Sequence, residues 1–206
     1  MPEGDSPVYA GHLESRPFIT VVSGLPRSGT SMMMQMLAAG GMPPLTDGVR
    51  APDEDNPRGY FEFEAVKRTR KDSSWVSTSV GKAVKMVPLL LRDLPPDFDY
   101  RVILMRRDPS EVLESQKAML QRLGRTGAKA SDETLKELFQ KELERTSHWL
   151  AAQLNFRMLT VDYRECICYP AGVAGSVNAF LDGKLDPLEM AGVVDATLYR
   201  KKVKEY

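Results

Sequence analysis

Phe18-Ile-Thr-Val-Val-Ser-Gly-Leu-Pro-Arg-Ser-Gly-Thr-Ser31 is the stretch whose reading decides the fold. An apolar, β-prone run from Phe18 to Val22 feeds a loop flanked by Gly24 and Gly29, and a helical pattern opens at Thr30. Strand, glycine-bounded loop and helix in that order form the layout of a phosphate-binding P-loop. The spacing from Gly24 is G-x-x-x-x-G, but Thr30 and Ser31 stand where a nucleotide triphosphatase carries Lys and Ser/Thr. The cation sits inside the loop instead, at Arg27. Such a loop suits a phosphate-like group and is poorly built for the β- and γ-phosphates of ATP.

The two glycines allow torsions that a Cβ resists. The loop's N–H groups can then turn inward as a nest for an anion. The helix start adds further donors and the positive end of its dipole. Ser28, Thr30 and Ser31 add hydroxyls, and Arg27 adds a planar fork matched to oxyanions. Pro26 completes the loop. The plainer alternative is an ordinary strand-to-helix turn with Ser28 or Thr30 as N-cap.

Residues 101–120 repeat the layout. Arg101-Val-Ile-Leu-Met105 reads as a buried strand, and Arg106-Arg107-Asp-Pro-Ser-Glu111 ends it and starts a helix that runs to about Leu123. Asp108 has the chemistry of an N-cap, Pro109 fits the first turn, and Glu111 falls where a capping-box acid belongs. Arg107 and Ser115, eight residues apart, can converge on one anion beside the helix start. Alone, Arg107 also reads as half of a surface ion pair and Ser115 as a solvated helix residue.

Together these stretches resemble the sulfotransferase family, whose donor is 3′-phosphoadenosine 5′-phosphosulfate (PAPS). Gly24-Leu-Pro-Arg-Ser-Gly-Thr-Ser31 is similar to the family's 5′-phosphosulfate loop, in the arginine version of Golgi protein-tyrosine sulfotransferases and many bacterial relatives. The resemblance implies donor contacts from Pro26, Arg27, Ser28, Gly29, Thr30 and Ser31. Arg107-Asp-Pro-Ser-Glu-Val-Leu-Glu-Ser115 resembles the 3′-phosphate site, which implies that Arg107 and Ser115 hold that phosphate. Lys82-Ala-Val-Lys-Met-Val87 is similar to the strand bearing the family's catalytic lysine, and Lys85 takes that place. Two departures stand out. Val87 occupies the position where cytosolic members carry a histidine base. The family's glycine-rich, tryptophan-containing C-terminal loop has no counterpart, so Arg200 or Lys201 would have to supply its phosphate contacts, unless they form only a solvated basic tail.

Sulfuryl transfer needs the bridging oxygen's developing charge neutralised, which falls to Arg27 and Lys85. No metal is expected. The acceptor's proton needs a base. His12 lies in a polar arm, and His148 lies on a long helix where packing is the simpler role. Asp53-Glu-Asp-Asn-Pro-Arg-Gly-Tyr-Phe-Glu-Phe-Glu64 follows the first helix, where loops gather at the carboxyl ends of strands. Glu62 is the first candidate base and Glu64 the second, each also readable as a solubilising charge. Arg58 would bind an acidic acceptor or pair with Asp55. The expected acceptor is a hydroxyl or amine of a small molecule, glycan or peptide. Two other readings share the fold: a P-loop kinase of small metabolites, disfavoured by the missing lysine, and a non-catalytic nucleotide-binding protein.

The chain has 206 residues, with 28 Lys+Arg balanced by 28 Asp+Glu. One domain over 17–206 behind an arm at 1–16 is expected. Zero net charge argues against nucleic-acid binding and a charged membrane surface. No apolar run reaches membrane-spanning length. The acidic start, Met1-Pro-Glu-Gly-Asp-Ser6, is unlike a signal peptide. Cys166 and Cys168 are too close for easy disulfide pairing and too few for a metal site. A cytoplasmic protein with reduced thiols is the expectation.

Strands are expected at 18–22, Ala83–Val87, 101–105 and Phe156–Val161. Helices are expected at 30–39, Phe61–Lys71, after Asp108, from Asp132 to Leu154 behind a Ser131 cap, and from about Ala171 to Leu181. Residues 41–58, rich in Pro, Gly and Asp, read as a long active-site loop. The alternation predicts an α/β, single-domain, P-loop-type three-layer fold, a mostly parallel sheet flanked by helices. Met32, Met33, Met34 and Met36 read as packing on the sheet or as a pliable pocket wall. Trp75 and Trp149 read as core or as stacking partners for an adenine.

Overall fold

The computed structural model describes residues 16–49, 53, 59–127 and 130–198. Residues 1–15 of the expected arm, and Asp55, Arg58, Arg200 and Lys201, lie outside these described residues. Four strands form one parallel sheet: β1 (Phe18–Gly24), β2 (Ala83–Met86), β3 (Asp99–Arg106) and β4 (Phe156–Asp162), ordered β2-β1-β3-β4. The register pairs Val22 with both Lys85 and Ile103, Gly24 with Met105, and Arg106 with Asp162. The carboxyl ends of all four strands therefore come out on one edge.

Six helices accompany the sheet: α1 (Thr30–Ala39), α2 (Pro109–Arg122), α3 (Asp132–Ala151), α4 (Tyr163–Cys168), α5 (Pro170–Phe180) and α6 (Pro187–Gly192). β1, β2 and β3 are largely buried on both faces, as a parallel sheet requires, while the edge strand β4 is partly exposed. Alternate side chains divide the core in two. Val22, Ile103 and Met105 face Met33, Met34, Met36 and Leu37 of α1, with α4, α5 and α6 closing that layer. Ile19, Val21, Tyr100 and Val102 face the other way, with Trp75, Val76 and Leu150. The α/β three-layer architecture is as the sequence predicts.

Several elements differ from expectation. The helix predicted over Phe61–Lys71 is a single 3₁₀ turn, Glu64–Arg68. Phe61 has φ 52° and Phe63 is extended, so neither joins a right-handed helix, and the Asp47 carboxylate takes the Glu64 N–H at 2.6 Å. The long helix from Asp132 stops at Ala151 rather than Leu154. Two short helices, α4 and α6, are additional.

Trp75 and Trp149 are both packing residues. Trp75 is buried, donates to Thr69 Oγ1 at 3.3 Å and meets Phe63 edge-on at 5.9 Å. Trp149 packs edge-on against Phe156, with Arg92 over its ring at 5.5 Å.

Candidate active site

The loop after β1 holds three residues at positive φ: Gly24 at 150°, Arg27 at 73° and Gly29 at 99°. A Cβ on Gly24 would stand 2.7 Å from the Met105 carbonyl oxygen of β3. On Gly29 it would stand 2.4 Å from the Tyr163 ring. The loop is thus pressed against its neighbours at both glycines. The expectation of Ser28 or Thr30 as N-cap is not met: Gly29 takes the cap position, and no side chain caps α1. By contrast, Asp108 caps α2 and Ser131 caps α3 through their side chains. Ser28 is 1% exposed, and its hydroxyl has no hydrogen-bond partner among the described residues. A buried hydroxyl left so is costly, and Ser28, unlike its neighbours in the loop, does not line the cavity, which corrects the expectation that it contacts the donor.

The two sequence motifs meet. Arg27 Nε donates to Ser115 Oγ at 3.0 Å, across from loop to α2. Arg107 Nη1 donates to the Arg27 carbonyl at 3.1 Å, and Arg107 Nε pairs with Glu111 at 2.9 Å. The Arg107 guanidinium also lies over the Tyr163 ring at 4.4 Å. Arg107 is therefore no surface ion pair, since its side chain and that of Glu111 are each 8% exposed. Ser115 is buried too. Burial lowers the pKa of Arg27, with a smaller contribution from Arg107 and Arg122 as like charges, while Tyr60 and Asp53 pull the other way.

Lys85 reaches the same loop from β2, on the opposite flank. Its ammonium donates to the Tyr60 carbonyl and to Ser31 Oγ at 3.4 Å, 5.9 Å from the Tyr60 ring centre. Val87 follows, 45% exposed and facing the same cavity. Glu62 lines it as well, its backbone carbonyl held by Thr46 Oγ1 at 2.9 Å and the Asp47 N–H at 3.3 Å. Glu64 does not line it. This second candidate base is exposed and pairs with Lys67 at 2.5 Å, which corrects the expectation that it faces the reaction. His148 is exposed on α3 and is also not part of the cavity wall.

The cavity has a volume of about 900 Å³. Pro26, Arg27, Gly29, Thr30, Ser31 and Lys85 line it, as do Arg107 and Ser115. Its remaining wall is largely apolar, with Met32, Phe63, Met86, Leu90 and Met119. Of the four clustered methionines on α1, three are core and only Met32 reaches this wall. Tyr163 and Tyr60 are functional candidates that sequence reasoning missed. Tyr163 carries a signal in hindsight: it directly follows β4, at the edge where parallel strands end. Burial raises its phenol pKa, an effect that Arg107 partly offsets.

Among the described residues, no group of three or more His, Cys, Asp or Glu is arranged to hold a metal ion. Cys166 is buried in the core, which pushes its thiol up to about 12, and Cys168 is exposed; both are free. No helix among the described residues is long and apolar enough to cross a membrane.

No family model matches the chain, and no curated protein sequence matches it. Solved structures do. A sulfotransferase domain from the curacin biosynthetic pathway superposes with a TM-score of 0.51 at 15% identity, over 90% of this chain and 83% of that one. A sulfotransferase domain of the Synechococcus PCC 7002 olefin synthase gives 0.48 at 16%, over 89% and 82%. A sugar kinase from Janibacter gives 0.42 at 14%, over 84% and 98%. At such identity the first likeness speaks for the fold alone. The chain thus has a P-loop-type α/β fold similar to that of a sulfotransferase domain.

Proposed function

We propose that the protein is a sulfotransferase that moves a sulfuryl group from PAPS to a hydroxyl or amine acceptor. The observation that carries this reading is the bridge of Arg27, Ser115 and Arg107. It brings two elements, the α1 loop and the Arg107–Ser115 pair, onto one cavity wall. A donor with phosphate-like groups at both its 5′ and 3′ positions matches two such elements. ATP matches less well, because the loop lacks the lysine that its phosphates need.

In this reading the loop from Pro26 to Ser31 holds the 5′-phosphosulfate with backbone donors and the hydroxyls of Thr30 and Ser31. Arg107 and Ser115 hold the 3′-phosphate, exchanging part of their present bonds for it. Arg27 and Lys85, reaching the loop from opposite flanks, offset the charge that grows on the bridging oxygen. Glu62 takes the acceptor's proton. When bound, PAPS supplies the sulfuryl group, and no metal is needed. The largely apolar wall beside Lys85 receives a small molecule, or the reactive end of a glycan or peptide. Two free thiols suit a reducing setting, and a cytoplasmic location belongs to the proposal.

Melting curves with 3′-phosphoadenosine 5′-phosphate (PAP), AMP and Mg-ATP test it. PAP at about 100 times its Kd should add roughly 2.7 kcal/mol, or about 5–10 °C for a domain of this size. That rise should shrink with AMP and vanish in Arg107→Ala. A rise with Mg-ATP alone overturns the proposal in favour of a kinase. PAP binding with no PAPS turnover over a panel of alcohols, phenols and amines would favour a non-catalytic binding protein.

A further inference from the structure

Tyr60 joins two groups that the sequence gives no reason to connect. Its phenol donates to both oxygens of Asp53, at 2.6 and 2.7 Å. Its backbone carbonyl accepts from the Lys85 ammonium, which also reaches Ser31 at the start of α1. Tyr60 is 6% exposed, while Asp53 is exposed. All three line the cavity.

The backbone on either side of Tyr60 is unusual. Gly59 has φ 94° and Phe61 has φ 52°. Glycine adopts such a torsion freely, but a bulky aromatic residue adopts it at a cost. Strain of this kind persists only where surrounding bonds over-determine it. Here the double turn aims the Tyr60 carbonyl at Lys85, and the phenol's bond to Asp53 holds the turn closed from the other end.

We propose that Tyr60 and Asp53 are positioning residues. The chain Asp53–Tyr60–Lys85 fixes the ammonium against the anion loop, with Asp53 acting on it through Tyr60. The consequence for transfer rests on the sulfotransferase reading, but the chain itself can be tested without it.

The test compares wild type with Asp53→Ala, Asp53→Asn and Tyr60→Phe. The rate of Lys85 acetylation by acetic anhydride is read by peptide mass spectrometry. Loss of one net hydrogen bond predicts that Asp53→Ala and Tyr60→Phe label Lys85 about fivefold faster. Asp53→Asn, whose amide oxygen can still accept from the phenol, should restore protection. Unchanged labelling in Asp53→Ala and Tyr60→Phe overturns the chain, as does labelling raised equally at other lysines, which would report general loosening. In the same proteins the kcat for PAPS conversion to PAP, with water as acceptor, should fall about tenfold through misplacement of Lys85. The Kd for PAP should stay within about twofold of wild type, because the substitutions leave the loop's own donors, Arg107 and Ser115 in place. A fall in kcat matched by an equal loss of PAP affinity would make the pair part of the donor site and overturn the positioning role. A wild type that neither binds PAP nor converts PAPS would sink the sulfotransferase reading, leaving the labelling to judge the chain.

Discussion

Arg27 is the residue on which the proposed anion site turns. It occupies the left-handed region at φ 73°, gives its carbonyl to Arg107 and its side chain to Ser115. A lysine there keeps the charge but loses the planar fork that meets Ser115 while facing an oxyanion. Arg27→Lys should therefore lower PAPS turnover by about tenfold or more, and Arg27→Ala should abolish it, as measured by PAP release. Gly29 is the second critical position. A methyl group there would meet the Tyr163 ring at 2.4 Å, at a φ that L residues rarely adopt. Gly29→Ala should cost about 1–3 kcal/mol by chemical denaturation and abolish the PAP-induced rise in melting temperature. Much at this scale was readable in advance. Arg27, Arg107, Ser115 and Lys85 belong to local spacings that survive without a third dimension. Tyr60 and Tyr163 do not, because each acquires its role from a contact made far along the chain.

Among the elements, the turn at Glu64–Arg68 shows where reading along the chain fails. The stretch has helical spacing and charges, yet Asp47, seventeen residues earlier, captures the Glu64 N–H and sets where the turn begins. No local pattern announces a cap delivered from that distance. The same carboxylate gives a pH prediction. The N–H of Glu64, then that of Val49, hold the Asp47 pKa below its usual value. A carboxyl lowered on folding contributes stability that is present above its unfolded pKa and is lost as pH falls through the folded one. The melting-temperature gap between wild type and Asp47→Ala should thus be largest near neutrality and shrink as the pH drops below about 4. Helices α4 and α6 escaped notice for a simpler reason, since six residues hold too few turns to display a period.

At the scale of the whole molecule, the site and the scaffold's main buried charge lie at opposite ends of the sheet. Arg101, near the start of β3, is 5% exposed. It pairs with Asp182 at 2.6 Å, donates to the Phe180 carbonyl at 2.5 Å and lies 3.8 Å from the centre of the Phe18 ring. This ties the sheet to the end of α5. Asp182 itself sits at φ 68°, which asparagine tolerates. Asp182→Asn removes the counter-charge without backbone strain and should destabilise the fold by about 2–4 kcal/mol, read by urea denaturation. PAP affinity of the folded fraction should not change. The architecture was legible early because each strand carries β-branched or large apolar residues, and each gap between strands is long enough for a crossover.

That order also governs when the site comes into being. β1 pairs with β3 along its whole length, Phe18 with Asp99 through Gly24 with Met105, so its partner lies about eighty residues downstream. A pairing so distant cannot form until the intervening chain has closed its loop. During synthesis the complete glycine loop leaves the ribosome long before the strand that supports it. A fragment ending at residue 98 would carry every letter of the motif and still have no wall of β3 for Gly24 to press against, no Arg107 and no Ser115. The proposed anion site is a late event in the folding of an early sequence.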